Sequence, residues 1–159
     1  MRSLKRVSIV VLVVVVTLRV DADAGRALPV FHVTSTAGAA VSSVALSSQP
    51  RWLLVYVSSA CQSCERLIGS MKQWQSSGVP SRTVIVVRGP DAARYVSDHA
   101  SSGLNAAWYR DDRDDGWRSL DLKSTPALMG IEAGEIKWTV SGVLNDPKAV
   151  ESVVRRWVE

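Results

Sequence analysis

The apolar run Trp52-Leu53-Leu54-Val55-Tyr56-Val57 leads into Cys61-Gln62-Ser63-Cys64, and a helical pattern begins there. The run has the length of a strand and no polar alternation, as expected of a strand buried on both faces in the middle of a parallel sheet. Cys64, Leu67, Ile68, Met71 and Trp74 then recur at spacings of three and four, so they share one helix face and form a core stripe. Ser76-Ser77-Gly78-Val79-Pro80 ends the pattern, with Gly and Pro as stop signals. Both thiols therefore fall in the first turn of a helix, where backbone N–H groups point outward and the dipole is positive. A thiolate is stabilised at that position and can attack other sulfurs.

These are the only two cysteines in the chain. Three readings compete for them. A zinc site needs four ligands, and outside the pair only His32 and His99 remain, distant in sequence and without ligand spacing to each other. A purely structural disulfide closing so small a loop would remove little chain entropy and stabilise weakly. Reversible disulfide chemistry is the third and main reading.

The 159 residues suggest one folded domain, and 47% apolar residues supply a full core. The N-terminus reads as a secretory signal. Arg2, Lys5 and Arg6 precede an apolar stretch from Val7 to Leu18, and Ala22-Asp23-Ala24 before Gly25 has the small-x-small form of a cleavage site. The stretch is shorter than the roughly 20 residues of a spanning helix; an uncleaved anchor is the competing reading. The expected division is a signal at 1–24 and a domain at 25–159. Either way the domain lies outside the cytoplasm, in a bacterium on the periplasmic side, where disulfides persist. The net charge of +4 falls to +2 without residues 1–24, so charge gives no argument for nucleic acid.

Beyond the first helix the pattern continues as strand and helix in turn. Leu28 to Thr34 reads as a short strand, and Thr36 to Val44 as turn and loop. Thr83 to Val87 is a second buried strand; Gly89-Pro90-Asp91 starts a helix running to about Ser101; Asn105 to Tyr109 is a short strand. Ala127 to Ile131 and Ile136 to Val140 form a hairpin across Gly134. Asn145-Asp146-Pro147 starts a last helix whose apolar face is Val150, Val153, Val154 and Trp157.

With these elements in order, the chain resembles the thioredoxin-like superfamily over nearly all of Leu28 to Glu159. The strand feeding a CxxC helix is the first match. Ser124-Thr125-Pro126 ahead of the hairpin, at the place of the family's cis-proline loop, is the second, and the hairpin with Gly134-Glu135-Ile136, Gly142 and the closing helix is the third. Phe31-His32-Val33 with Gly38 and Val41 resembles the extra strand pair of TlpA-type exported members. The resemblance implies an α/β thioredoxin-like fold, a central mixed sheet flanked by helices. It implies thiol–disulfide exchange with Cys61 as exposed nucleophile and Cys64 as buried resolving thiol. The substrate-facing set it implies is Thr125 and Pro126, with Ala60, Gln62 and Ser63 around the first cysteine. No dissociable cofactor is implied. Protein disulfide or dithiol substrates are, together with a redox partner: a membrane electron donor on the reducing route, an oxidant on the other. Two other classes stay open, a non-catalytic thioredoxin-fold binding module of an envelope assembly and a copper-handling thiol protein using His32 or His99.

The chain departs from thioredoxin at several positions. Val55 stands where thioredoxins usually carry a buried aspartate that assists proton transfer from the second cysteine. Ala60 replaces the usual Trp, Gln62-Ser63 replaces Gly-Pro, and Glu65 adds a negative charge that opposes a thiolate. Elsewhere, Asp111-Asp112-Arg113-Asp114-Asp115-Gly116 fails the calcium-loop pattern at Arg113 and Leu122, so Arg110 to Arg118 reads as a solvated charged loop. Trp108 and Trp117, at its flanks, read as lining a binding surface, and His99 as a solvated or capping residue.

Overall fold

The computed structural model describes residues 25–78, 82–142 and 147–158. The expected signal at 1–24, Val79-Pro80 of the helix stop and Asn145-Asp146 of the last helix start lie outside the described residues.

The apolar run forms β4 (Arg51–Ser58), which follows β1 (Arg26–Ala27), β2 (His32–Ser35) and β3 (Ala40–Ser42) and leads into α1 (Gln62–Ser76). Then come β5 (Thr83–Arg88), α2 (Ala92–Ala100), β6 (Ala107–Arg110), α3 (Asp115–Ser119), β7 (Ala127–Glu132), β8 (Glu135–Ser141) and α4 (Pro147–Val158). The strands make one eight-stranded sheet in the order β1-β8-β7-β4-β5-β6-β2-β3. β4 pairs parallel with β5 and antiparallel with β7, and β5 pairs parallel with β6, so the sheet is mixed with β4 inside it.

The period of two along β4 divides the core. Leu53, Val55 and Val57 point to the face covered by α1, α2 and α4, where Cys64, Leu67, Ile68, Met71, Trp74, Tyr95, Trp108 and Val154 pack. Trp52, Leu54 and Tyr56 point to the other face, against Phe31, Val33, Leu46, Leu120 and Met129. A strand needing apolar side chains on both sides reads as an unbroken run, which is why β4 is so plain in the sequence.

The first strand is two separate pieces, not one from Leu28 to Thr34. Pro29 supplies no N–H for a ladder, Val30 is exposed, and pairing resumes only at His32. The segment read as a loop contains β3, which pairs antiparallel with β2 through Val33 and Val41. That pair is the extra one expected at the N-terminal side, and it joins the sheet through β2 against β6. In the β7–β8 hairpin, Ala133 and Gly134 both have positive φ, 50° and 79°, the two-residue turn whose twist matches the strands. Among the described residues no helix is long and apolar enough to cross a membrane.

Candidate functional site

Cys61 is the N-cap of α1, and its sulfur does the capping. The backbone N–H of Cys64 donates to Cys61 Sγ at 3.2 Å. Cys61 and Cys64 form a disulfide with Cα atoms 5.2 Å apart. Within it Cys61 Sγ has no proton to give, so the Ser63 hydroxyl 3.3 Å away is the donor to it. Two donors thus converge on this sulfur at the positive end of a 15-residue helix. Donors and a helix N-terminus in this arrangement favour negative charge on the sulfur they surround. Cys61 is half-buried, whereas Cys64 is fully buried in the core beneath α1.

The loop before β7 closes the site from the other side. The Thr125-Pro126 bond is cis, and the Thr125 carbonyl oxygen lies 3.6 Å from Cys61 Sγ. Gly142 N–H donates to the Pro126 carbonyl at 2.9 Å, and Ala127 pairs with Tyr56 of β4, so this loop is held at the strand that delivers the cysteines. Thr125 is half-buried and Pro126 buried; Ala60 and Gln62 are exposed, and Ser63 touches Cys61. The structure therefore brings Ala60, Cys61, Gln62, Ser63, Cys64, Thr125 and Pro126 into one patch. Val55 is fully buried among apolar side chains, two residues from Val57 on the same face.

Three expectations need correction. The segment Arg110 to Arg118 is not a solvated loop. Asp111 is 2% exposed, and its carboxylate accepts from the Tyr56 hydroxyl, from Asp115 N–H at 2.8 Å and from Trp117 N–H at 3.0 Å. Three donors offset the desolvation of that charge and start α3. Burial, and then the bond to Asp111, raise the Tyr56 phenol far above its ordinary range. Trp108 lies in the core and lines no surface, whereas Trp117 stays half-buried. Trp108 is buried under α2, while Trp117 packs on Tyr56 and lies 4.2 Å beneath the Arg88 guanidinium, which is itself fixed by a forked pair to Asp114. His99 is not solvated. Its side chain is 19% exposed, stacked on Tyr95 and bonded to Glu65.

His32 sits on β2, three strands from β4 in the sheet order and beside Asp115, and both ring nitrogens of His99 are engaged within α2 and α1. Among the described residues no group of three His, Cys, Asp or Glu side chains is arranged to hold a metal ion.

No family model and no curated protein matches the sequence. Solved structures do. A secreted Mycobacterium tuberculosis disulfide oxidoreductase homologous to E. coli DsbE aligns at TM-score 0.64 and 16% identity, over 79% of this chain and 95% of its own. A Chlorobium tepidum protein described as thiol:disulfide interchange protein DsbE aligns at TM-score 0.65 and 19% identity, over 87% and 100%. A thioredoxin-family thiol:disulfide interchange protein from Chlorobium tepidum TLS aligns at TM-score 0.59 and 14% identity, over 85% and 97%. The fold is thioredoxin-like, as the strand, the CxxC helix and the proline loop implied.

Proposed function

We propose that this thioredoxin-fold chain is an exported thiol–disulfide oxidoreductase that exchanges disulfides with protein partners through Cys61 and Cys64. The observation that carries the reading is the surrounding of Cys61 Sγ. It is half-buried, faces donors from Cys64 N–H and Ser63, and sits 3.6 Å from the carbonyl of Thr125 in the proline loop. A structural staple needs none of these. The similar solved structures support the same class, since their proteins are described as disulfide oxidoreductases or interchange proteins.

In the reducing direction the Cys61 thiolate attacks one sulfur of a partner disulfide. A bond forms between Cys61 and that sulfur, and the partner's other sulfur leaves as a thiolate. Cys64 then gives up its proton and attacks Cys61 Sγ, expelling the partner's remaining thiolate. The chain ends as the Cys61–Cys64 disulfide and the partner as a dithiol, two electrons richer. The oxidising direction is the reverse. Thr125 and Pro126 line the partner's extended backbone, and Ala60 and Gln62 present the exposed rim. Each turnover leaves the pair in the opposite redox state, so a second redox partner is required. Export is supported by the N-terminal signal pattern and by the secreted relative.

The test is trapping. Cys64→Ser expressed in the native host should accumulate mixed disulfides with envelope proteins through Cys61, seen as high-mass bands on non-reducing gels and lost on reduction. If Cys64→Ser, Cys61→Ser and wild type give the same gel, the exchange reading fails and the binding-module reading replaces it. The reduction potential gives direction: near −270 mV indicates a reductant, near −120 mV an oxidant.

A further inference from the structure

We propose that His99 is a positioning residue for the Cys61 thiolate, acting through Glu65 to neutralise a carboxylate that shares the positive end of α1. This rests on the exchange chemistry proposed above. The first observation is the hydrogen-bond chemistry of the imidazole. His99 Nδ1 lies 2.9 Å from the Tyr95 carbonyl oxygen, which can only accept, so Nδ1 carries a hydrogen. His99 Nε2 lies 3.1 Å from Glu65 Oε2, also an acceptor when ionised. A bond there requires a proton between the two atoms. With the ring carrying both hydrogens, Nε2 donates to Oε2 and the two side chains form an ion pair.

The second observation is placement. Glu65 is in the first turn of α1, where negative charge is favoured, and its N–H donates to the Cys61 carbonyl. His99 is in the last turn of α2, where positive charge is favoured. Both helix ends thus support the ion pair. The ring cannot swing away easily, because it stacks on Tyr95 at 4.1 Å and 12° and leans on Trp108 at 5.9 Å. Around the ring, α1 supplies Glu65, α2 supplies Tyr95, and β6 supplies the Trp108 indole. Tyr95 does not compete for the proton: burial, then the neighbouring Glu65, push its phenol well above the ordinary range. Arg94 and Asp98 pair with each other on the exposed side of α2.

The consequence concerns Cys61. An unpaired Glu65 carboxylate would repel a thiolate in the same helical turn. Paired with His99, it opposes negative charge on the sulfur at this helix end less. Glu65 is half-exposed, so screening keeps the effect small.

The experiment follows thiolate absorbance near 240 nm against pH in the reduced full chain. A Cys64→Ser background leaves Cys61 as the sole signal. His99→Gln should raise the Cys61 midpoint by about 0.5 pH unit. Glu65→Gln should lower it, and adding His99→Gln to Glu65→Gln should move it little. An unchanged midpoint in His99→Gln overturns the proposal. So does a shift of the same sign in both single variants, which is what mere loosening of the α1–α2 contact would give. The readout is separate from trapping: mixed disulfides without these shifts remove His99 alone, and these shifts without mixed disulfides remove the oxidoreductase reading alone.

Discussion

Cys61 Sγ and the Thr125 carbonyl oxygen are 3.6 Å apart across a sequence separation of 64 residues. The contact joins the N-terminus of α1 to the loop before β7, and it lies on the half-buried side of a disulfide whose other sulfur is sealed in the core. Reactivity of the reduced pair should be asymmetric as a result. With limiting iodoacetamide, Cys61 should be alkylated first and Cys64 only after the protein unfolds. Peptide mapping of early time points checks this, and equal labelling would remove the assigned roles.

Tyr56 and Tyr95 make stability fall in alkali. Both phenols are raised in the folded chain, first by burial and then by Asp111 and Glu65 respectively. A group whose folded value is raised contributes fully below its unfolded value of 10.0 and loses that contribution above it. Above pH 10 the unfolded chain releases these protons while the folded chain keeps them. Unfolding free energy should drop by about 1.4 kcal/mol per pH unit for each tyrosine. Urea melts between pH 9 and pH 11, compared with Tyr56→Phe and Tyr95→Phe, give the slopes; each variant should be flatter than wild type.

Asp111 should matter more than its place in a run of charges suggests. Asp111→Ala leaves the Tyr56 hydroxyl and the Asp115 and Trp117 N–H groups without their acceptor, at a loss of about 3 kcal/mol or more. Tyr56→Phe removes one donor and leaves two on the carboxylate, so it should lose only about 1 kcal/mol. Chemical denaturation of the two variants measures the ratio.

Gly130 is a matter of space. A Cβ on this β7 residue would run into the indole of Trp138 on β8, and Trp138 stands edge-on to Trp157 of α4 with centroids 5.7 Å apart. Gly130→Ala should displace Trp138, weaken the hold of α4 on the sheet and destabilise by about 1–3 kcal/mol. A changed near-ultraviolet dichroism together with a lower Tm is the expected signature.

The elements legible in the sequence are those whose signal is local. β4 reads as an unbroken apolar run because both faces are covered, and α1 reads from Cys64, Leu67, Ile68, Met71 and Trp74 because one helix face repeats every three or four residues. The cysteine pair and the Thr125-Pro126 loop were legible as motifs, and the resemblance they carry led to the fold. The surroundings of Asp111, His99 and Trp108 are not legible in the sequence, because they are made by distant chain. A carboxylate among four other charges looks solvated until Tyr56, on a strand 55 residues away, donates to it. A histidine near a helix end looks free until α2 packs beside α1 and brings Glu65 to it across 34 residues. Periodicity and capping report what a segment does with its own backbone and which face it buries. The partner of a buried charge is chosen by how strands and helices stack, and only the tertiary structure decides that.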